Sequence, residues 1–253
     1  MTVSTEGFRG GDRTDISLPK GQESLLKAVS ATGKPVVLLL LNGSALAVNW
    51  ASENVPAILE AWYPGEEGGA AIADVLFGDY NPGARLPVTF YKSTAQLLPF
   101  EDYSMQGRTY RYFKGDPLYP FGFGLSYTTF KFDNVRVEPQ TILSGATTRV
   151  FADVTNTGTR EGDEVAQMYI HQRIASVTRP VMELRGFKRV TLRPGEKTTV
   201  EFELTPAALS MLNEDMHPVV EPGTFDIMVG PSSVETTSVP QQVQEKLGEA
   251  AAK

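Results

Sequence analysis

The sequence predicts an α/β unit followed by an all-β unit: a partial α/β domain with parallel strands, then a β-sandwich. Three observations carry this reading. Residues 36–41 form an apolar run without alternation, the pattern of a strand buried on both faces of a parallel sheet. Strand and helix patterns alternate between Gly33 and Phe90, as crossover units require. From Phe130 onward short alternating segments are separated by turn signals, the pattern of a sandwich.

The elements follow in chain order. Residues 1–15 read as an irregular arm. Pro19 opens a helix with Leu25, Leu26 and Val29 at helical spacing, and Gly33 stops it. After the first strand Asn42-Gly43-Ser44 turns the chain; residues 57–62 form the second strand and residues 67–77 its returning helix, closed by Gly78. Two or three strands make a poor open sheet. Either the arm and first helix cover its edge, or further strands lie upstream in a longer parent chain. An exposed apolar edge also predicts self-association into a homo-oligomer.

Residues 92–127 carry nine aromatics, among them Phe100, Tyr103, Tyr110, Tyr112 and Phe113, with no period. This reads as an ordered connector held by ring packing, expected to strap two domains together. Strand patterns then fall at residues 130–137, 148–155, 164–171, 182–192, 198–204 and 223–229, with turns at Asn156-Thr157-Gly158 and Arg193-Pro194-Gly195. Six or seven such strands predict a sandwich of immunoglobulin or fibronectin III type. The polar, Ala-rich segment 241–253 reads as frayed helix or a flexible tail. The boundaries are therefore 1–98 for the α/β portion, 99–127 for the connector, 128–240 for the sandwich and 241–253 for the tail.

Composition narrows the function classes. A length of 253 residues fits two domains at about 150 residues each. The apolar fraction of 41% and charged fraction of 21% are those of a globular protein. A net charge of -7 without a run of Lys and Arg argues against nucleic acid and anionic membrane as partners and favours a neutral partner such as carbohydrate. The absence of cysteine removes disulfides, thiol catalysis and thiolate metal sites, and His171 and His217 alone cannot form a zinc site. No metal or cofactor is implied. Residues 1–12 are polar and Gly-rich where a signal peptide has its apolar core, and the longest apolar run is far below the roughly 20 residues of a membrane span. The chain reads as soluble, and a parent enzyme in the periplasm or outside the cell is compatible with that.

Few segments carry chemistry on their own. Tyr63-Pro-Gly-Glu-Glu-Gly-Gly69 joins a strand end to a helix start, where ligands collect in open α/β sheets. It reads as a loop facing a sugar, or as a Gly-rich turn whose Glu66 and Glu67 favour the helix dipole. Adjacent carboxylates are not a catalytic pair, because a glycosidase needs its two carboxyls roughly 5–9.5 Å apart across the bond. Asp12-Arg13-Thr14-Asp15 reads as a structural ion pair or as a contact to a hydroxyl. Trp50 and Trp62 are sugar platforms or core residues, the latter the simpler reading. His171 and His217 are most simply surface residues.

In order, Gly10-Gly-Asp-Arg-Thr-Asp-Ile-Ser-Leu-Pro19, Leu41-Asn-Gly-Ser44, Ala61-Trp-Tyr-Pro-Gly-Glu-Glu-Gly-Gly69, Ala73-Asp-Val-Leu-Phe-Gly-Asp-Tyr-Asn-Pro-Gly83, Arg85-Leu-Pro-Val-Thr-Phe90, Arg108-Thr-Tyr-Arg-Tyr-Phe113 and residues 119–127 strongly resemble the C-terminal half of glycoside hydrolase family 3. The sandwich resembles that family's fibronectin type III-like domain. The resemblance implies a retaining β-glucosidase or β-xylosidase: an Asp attacks the anomeric carbon, a Glu protonates the leaving oxygen and water resolves the glycosyl-enzyme. It places the nucleophile on a TIM barrel of roughly 250 residues, which this chain has no room for. The family's acid/base Glu precedes an Asp-Arg pair that matches Asp12-Arg13. Glu6 is therefore the candidate acid/base, and Asp12 and Arg13 are the candidate substrate-binding residues. The chain is expected to be inactive alone and to act beside a separate barrel chain on a β-glucoside or β-xyloside. The other reading is a non-catalytic carbohydrate-binding or scaffold protein derived from such an enzyme.

Overall fold

The computed structural model describes residues 15–99 and 101–246. They fall into two compact units. The first comprises the chain up to Tyr80 with Val88–Thr109 and Phe113–Phe121; the second comprises Asn81–Pro87, Tyr110–Tyr112 and the chain from Gly122 onward.

The first unit runs α1 (Lys20–Ser30), β1 (Val37–Leu40), α2 (Asn49–Asn54), β2 (Ala57–Glu60) and α3 (Gly68–Phe77). β1 and β2 pair in parallel, Val37 opposite Ala57. Leu26 of α1, Leu38 and Leu40 of β1, and Leu46, Val48, Ala51 and Val55 share one core, against which Trp50 and Tyr119 pack. The composition of α2 is undistinguished and gives no helix signal of its own. It forms because Val48, Ala51 and Val55, at helical spacing, all face that core. Gly78 closes α3 in the left-handed conformation at φ 85°, its N–H reaching the Val75 carbonyl at 3.2 Å. β2 is two residues shorter than the 57–62 expected, because Trp62 adopts φ 53° and turns the chain off the ladder. α3 is apolar along most of its length, yet only Gly68 is buried and Phe77 is 84% exposed.

The second unit is a sandwich of β3 (Phe130–Glu138), β4 (Thr141–Leu143), β5 (Thr148–Asn156), β6 (Gly162–Gln172), β7 (Glu183–Leu192), β8 (Lys197–Leu204), β11 (Gly223–Gly230) and β12 (Thr237–Gln244); the short helix α5 (Pro206–Leu209) and the hairpin β9 (Met211–Leu212) and β10 (Pro218–Val219) lie between β8 and β11. One sheet has the order β4-β12-β11-β6-β7 and the other β3-β5-β8. Alternate residues of the central strands turn inward, so Val150, Ala152, Val154, Met168, Ile170, Phe202, Phe225 and Ile227 meet in one core. Residues 241–244 correct the expected flexible tail. They lie in β12, paired with both β11 and β4, with Gln241 and Val243 buried. Pro240 and three glutamines disguised the strand, which is held by ladders on both sides.

The segment Asn81–Pro87 is built into this unit. The Asn81 carboxamide oxygen accepts from the Tyr127 N–H at 2.8 Å and the Ser126 hydroxyl at 2.9 Å, while its Nδ2 donates to the Glu161 carbonyl at 2.9 Å. Leu86 exchanges backbone bonds with Phe123 and Gly122, both at 2.8 Å. A Cβ on Gly124 would run into the Ala84 carbonyl oxygen, so only glycine lets the two segments close. Arg85 and Glu164, 8% and 4% exposed at the side chain, form an ion pair at 2.7 Å. Two of the motifs that carry the family resemblance are thus a structural clasp. Within the region 99–127, Thr109–Tyr112 forms the short helix α4. Tyr110 of α4 meets Tyr169 by edge at 6.0 Å, and Phe113, just after it, meets Tyr91 likewise at 5.1 Å.

Candidate functional site

The candidate site in the first unit lies where β1 and β2 end, the edge of a parallel sheet at which ligands bind. Its floor is polar, with Asn42 buried and Glu60 half-buried. Asn42, directly after β1, is 2% exposed, and its Nδ2 donates to the Ser44 carbonyl at 2.7 Å. Glu60, the last residue of β2, accepts from the Trp62 N–H at 3.0 Å. Burial holds the Glu60 carboxyl above the usual carboxylate range, against hydrogen bonds from Trp62 and the Asn42 amide that pull it down. Glu60 Oε2 and Asn42 Oδ1 are buried without a donor among the described residues. A proton on Glu60 would add an O–H donor to the Asn42 amide already present in this floor.

Above the floor Trp62 takes its left-handed conformation, sparsely populated for a bulky residue and costing on the order of 1–3 kcal/mol. Phe90 meets the Trp62 ring by edge at 6.1 Å, and Tyr119 meets Phe90 likewise at 6.1 Å. Phe90 and Tyr119 also bridge through Phe90 N–H to Tyr119 O at 2.8 Å, and the Tyr119 hydroxyl donates to Ser52 Oγ at 2.9 Å. The turn at Trp62 leaves Tyr63 75% exposed at the head of the loop to α3. Glu66 and Glu67 stand exposed on that loop.

Glu6, Asp12 and Arg13 lie outside the described residues. The chain that follows them is anchored. Asp15 Oδ1 accepts from the Ser17 N–H at 2.9 Å and from the Thr94 hydroxyl at 3.2 Å, bonds that hold its carboxyl below the usual range. Ser17 bridges Ala47 in parallel, and the Ala47 N–H reaches the Ile16 carbonyl at 2.9 Å. Trp50 packs on the core with the Lys27 ammonium 5.4 Å over its ring. His171 is half-buried on β6 and His217 exposed beside β10. Among the described residues no group of three or more His, Asp or Glu side chains could hold a metal ion. None of their helices is long and apolar enough to cross a membrane. Glu60 and Asn42 were missed from sequence; the signal was a lone acid closing the apolar strand Ala57-Ile58-Leu59.

Comparison with known proteins completes the picture. Residues 1–127 match the glycosyl hydrolase family 3 C-terminal domain and residues 164–233 a fibronectin type III-like domain. A xylan 1,4-beta-xylosidase of Xylanibacter ruminicola is 49% identical over 93% of this chain and 27% of its own length. A periplasmic beta-glucosidase of Salmonella typhimurium is 45% identical over 87% of this chain and 30% of its own length. The solved structure of a beta-glucosidase from Erythrobacter marinus superposes with a TM-score of 0.86 at 40% identity, covering 96% of this chain and 34% of that one. The chain thus spans about a third or less of the length of these relatives. With both domain models matched in sequence order and both units folded accordingly, the chain belongs to glycosyl hydrolase family 3, as a C-terminal fragment in relation to these relatives.

Proposed function

We propose that this chain is the C-terminal part of a retaining β-glycosidase of β-xylosidase or β-glucosidase type, supplying one wall of the sugar pocket. The nucleophile comes from a TIM barrel, in the same parent chain or in a separate one, and the isolated chain does not turn over substrate. The observation that carries this is the first unit itself: a parallel pair with an apolar, exposed α3, matched to relatives about three times longer. Such a unit has the character of one face of a larger α/β domain. Tyr63, raised on the loop by the turn at Trp62, is the wall residue for a sugar. Asp12 and Arg13 contact its hydroxyls, and Glu6 is the acid/base for test. The parent works on a β-xyloside or β-glucoside, in a periplasmic or secreted setting by analogy with the Salmonella relative.

The test is hydrolysis of aryl β-xyloside and β-glucoside by the chain alone and by the chain mixed with a separately produced family 3 barrel. Turnover only in the mixture is expected, with Tyr63→Ala raising KM in it. Turnover by the chain alone would overturn the reading and make Glu6→Gln the next variant. Silence in both, with sugar binding retained, would favour the non-catalytic reading.

A further inference from the structure

Tyr63 is 75% exposed, yet its ring is seated on backbone. A Cβ at Gly43 would stand 2.6 Å from Tyr63 Cε2 and 3.3 Å from both Cζ and the hydroxyl oxygen. The far edge of the ring therefore fills the space that any side chain at position 43 would take. Gly43 does not adopt a positive φ, so conformational freedom is not what places a glycine here; the reason is room for the ring.

The seat is rigid. Gly43 lies in the turn after β1, between the buried Asn42 and Ser44, and the Asn42 Nδ2 closes that turn on the Ser44 carbonyl at 2.7 Å. The backbone on either side of Tyr63 is fixed as well. Before it, the Trp62 N–H donates to Glu60 Oε1 at 3.0 Å while Trp62 holds φ 53°. After it, the Pro64 ring packs on Gly68 at the start of α3, where a Cβ would come within 2.5 Å of Pro64 Cγ. Proline also narrows the backbone of the residue before it.

The two glycines differ in what a methyl group would do. At Gly68 it would meet a proline ring and force the loop to move. At Gly43 it would meet only the far end of a side chain that can swing into solvent. A side chain at 43 is thus expected to spare the fold and to change the direction of the Tyr63 ring.

We infer that Gly43 is a positioning residue that acts through Tyr63. It lets the ring lie at one angle against the turn after β1, so that the opposite side meets the sugar already oriented. Tyr63 has this role only within the function proposed above, where it is the wall residue. An aromatic face gives the sugar C–H groups an apolar surface. A ring held before the sugar arrives loses little freedom on binding, an advantage of about two- to tenfold in affinity for one side chain.

The test has two readouts. On the chain alone, a nuclear Overhauser contact between the Gly43 Hα protons and the Tyr63 ring protons is expected. In the mixture with a separately produced family 3 barrel, Gly43→Ala is expected to raise KM for aryl β-xyloside about two- to tenfold, with kcat kept within about twofold and the amide spectrum still folded. In a Tyr63→Ala background the same change should have no further effect, whereas a role of Gly43 in the turn itself would persist without the ring. No contact in the wild type, an unchanged KM in folded Gly43→Ala, or an equal effect in both backgrounds would overturn the positioning role. A wild-type mixture that hydrolyses the xyloside no better than Gly43→Ala sinks that role alone. An inactive wild-type mixture beside an intact contact sinks the proposed function, and the role of the seat with it.

Discussion

Each unit has to cover an apolar sheet, and they reach different ends. In the sandwich two sheets close on each other, so Val150, Ile170, Phe225 and Ile227 are all buried, and the polar clasp at Asn81 and Arg85 is paired within the same unit. In the α/β unit the sheet stops at two strands and α3 leaves Leu76 and Phe77 in solvent. The closed core and the exposed apolar surface are thus divided between the units. The sandwich closes its apolar sheets on each other, whereas the first unit leaves the apolar α3 in solvent, and that face is where further protein is expected.

The sharpest way to break this contrast is Arg85→Ala. It leaves Glu164 charged in an apolar setting, so the sandwich is expected to lose about 3–5 kcal/mol, while the double change Arg85→Met with Glu164→Leu recovers most of it. Amide exchange in β6 and β11 measures both. A loss below about 1 kcal/mol, the size of a surface pair, would mean that the clasp is dispensable. Trp50 and Trp62 are the only tryptophans in the chain and both lie in the first unit, so indole fluorescence follows that unit alone.

Acid should separate the units next. Hydrogen bonds from Lys197 and Thr199 hold the Asp153 carboxyl down at about 2. Its stabilisation is present above the unfolded value near 4 and disappears as pH falls toward about 2, a loss of about 1–2 kcal/mol after screening at the exposed Lys197. Asp153→Asn should flatten sandwich unfolding over that window. Glu60 has the opposite sign. Its raised carboxyl gives a contribution that is complete below the unfolded value and declines as pH rises through the folded one. Indole fluorescence should therefore show the first unit gaining stability as pH is lowered toward about 4, and Glu60→Gln should remove that slope. An unchanged slope in Glu60→Gln would assign it to another group. The smallest effect is expected from Phe77→Ser. Stability should move by less than about 0.5 kcal/mol, because the ring is already in water, whereas self-association followed by sedimentation should fall.

Sequence alone determined the class of each half and the order of its longer periodic elements. The unbroken apolar run 36–41, the Gly78 stop and the alternation at 148–155 and 164–171 are all local signals, and the family motifs stand in a specific order. What only the tertiary structure decided has no local period. Residues 237–244 are a strand because β11 and β4 supply ladders from distant parts of the chain, and Asn49–Asn54 is a helix because its apolar side finds the β1 core. Asn81 and Arg85 looked like family signature, and they proved to be a clasp whose partners stand 45 and 79 residues away. Glu60 could be read as one acid in an apolar strand, but the donors around its carboxyl depend on how Trp62 turns. Periodicity is a property of neighbours in the chain; burial and polar satisfaction are set by neighbours in space.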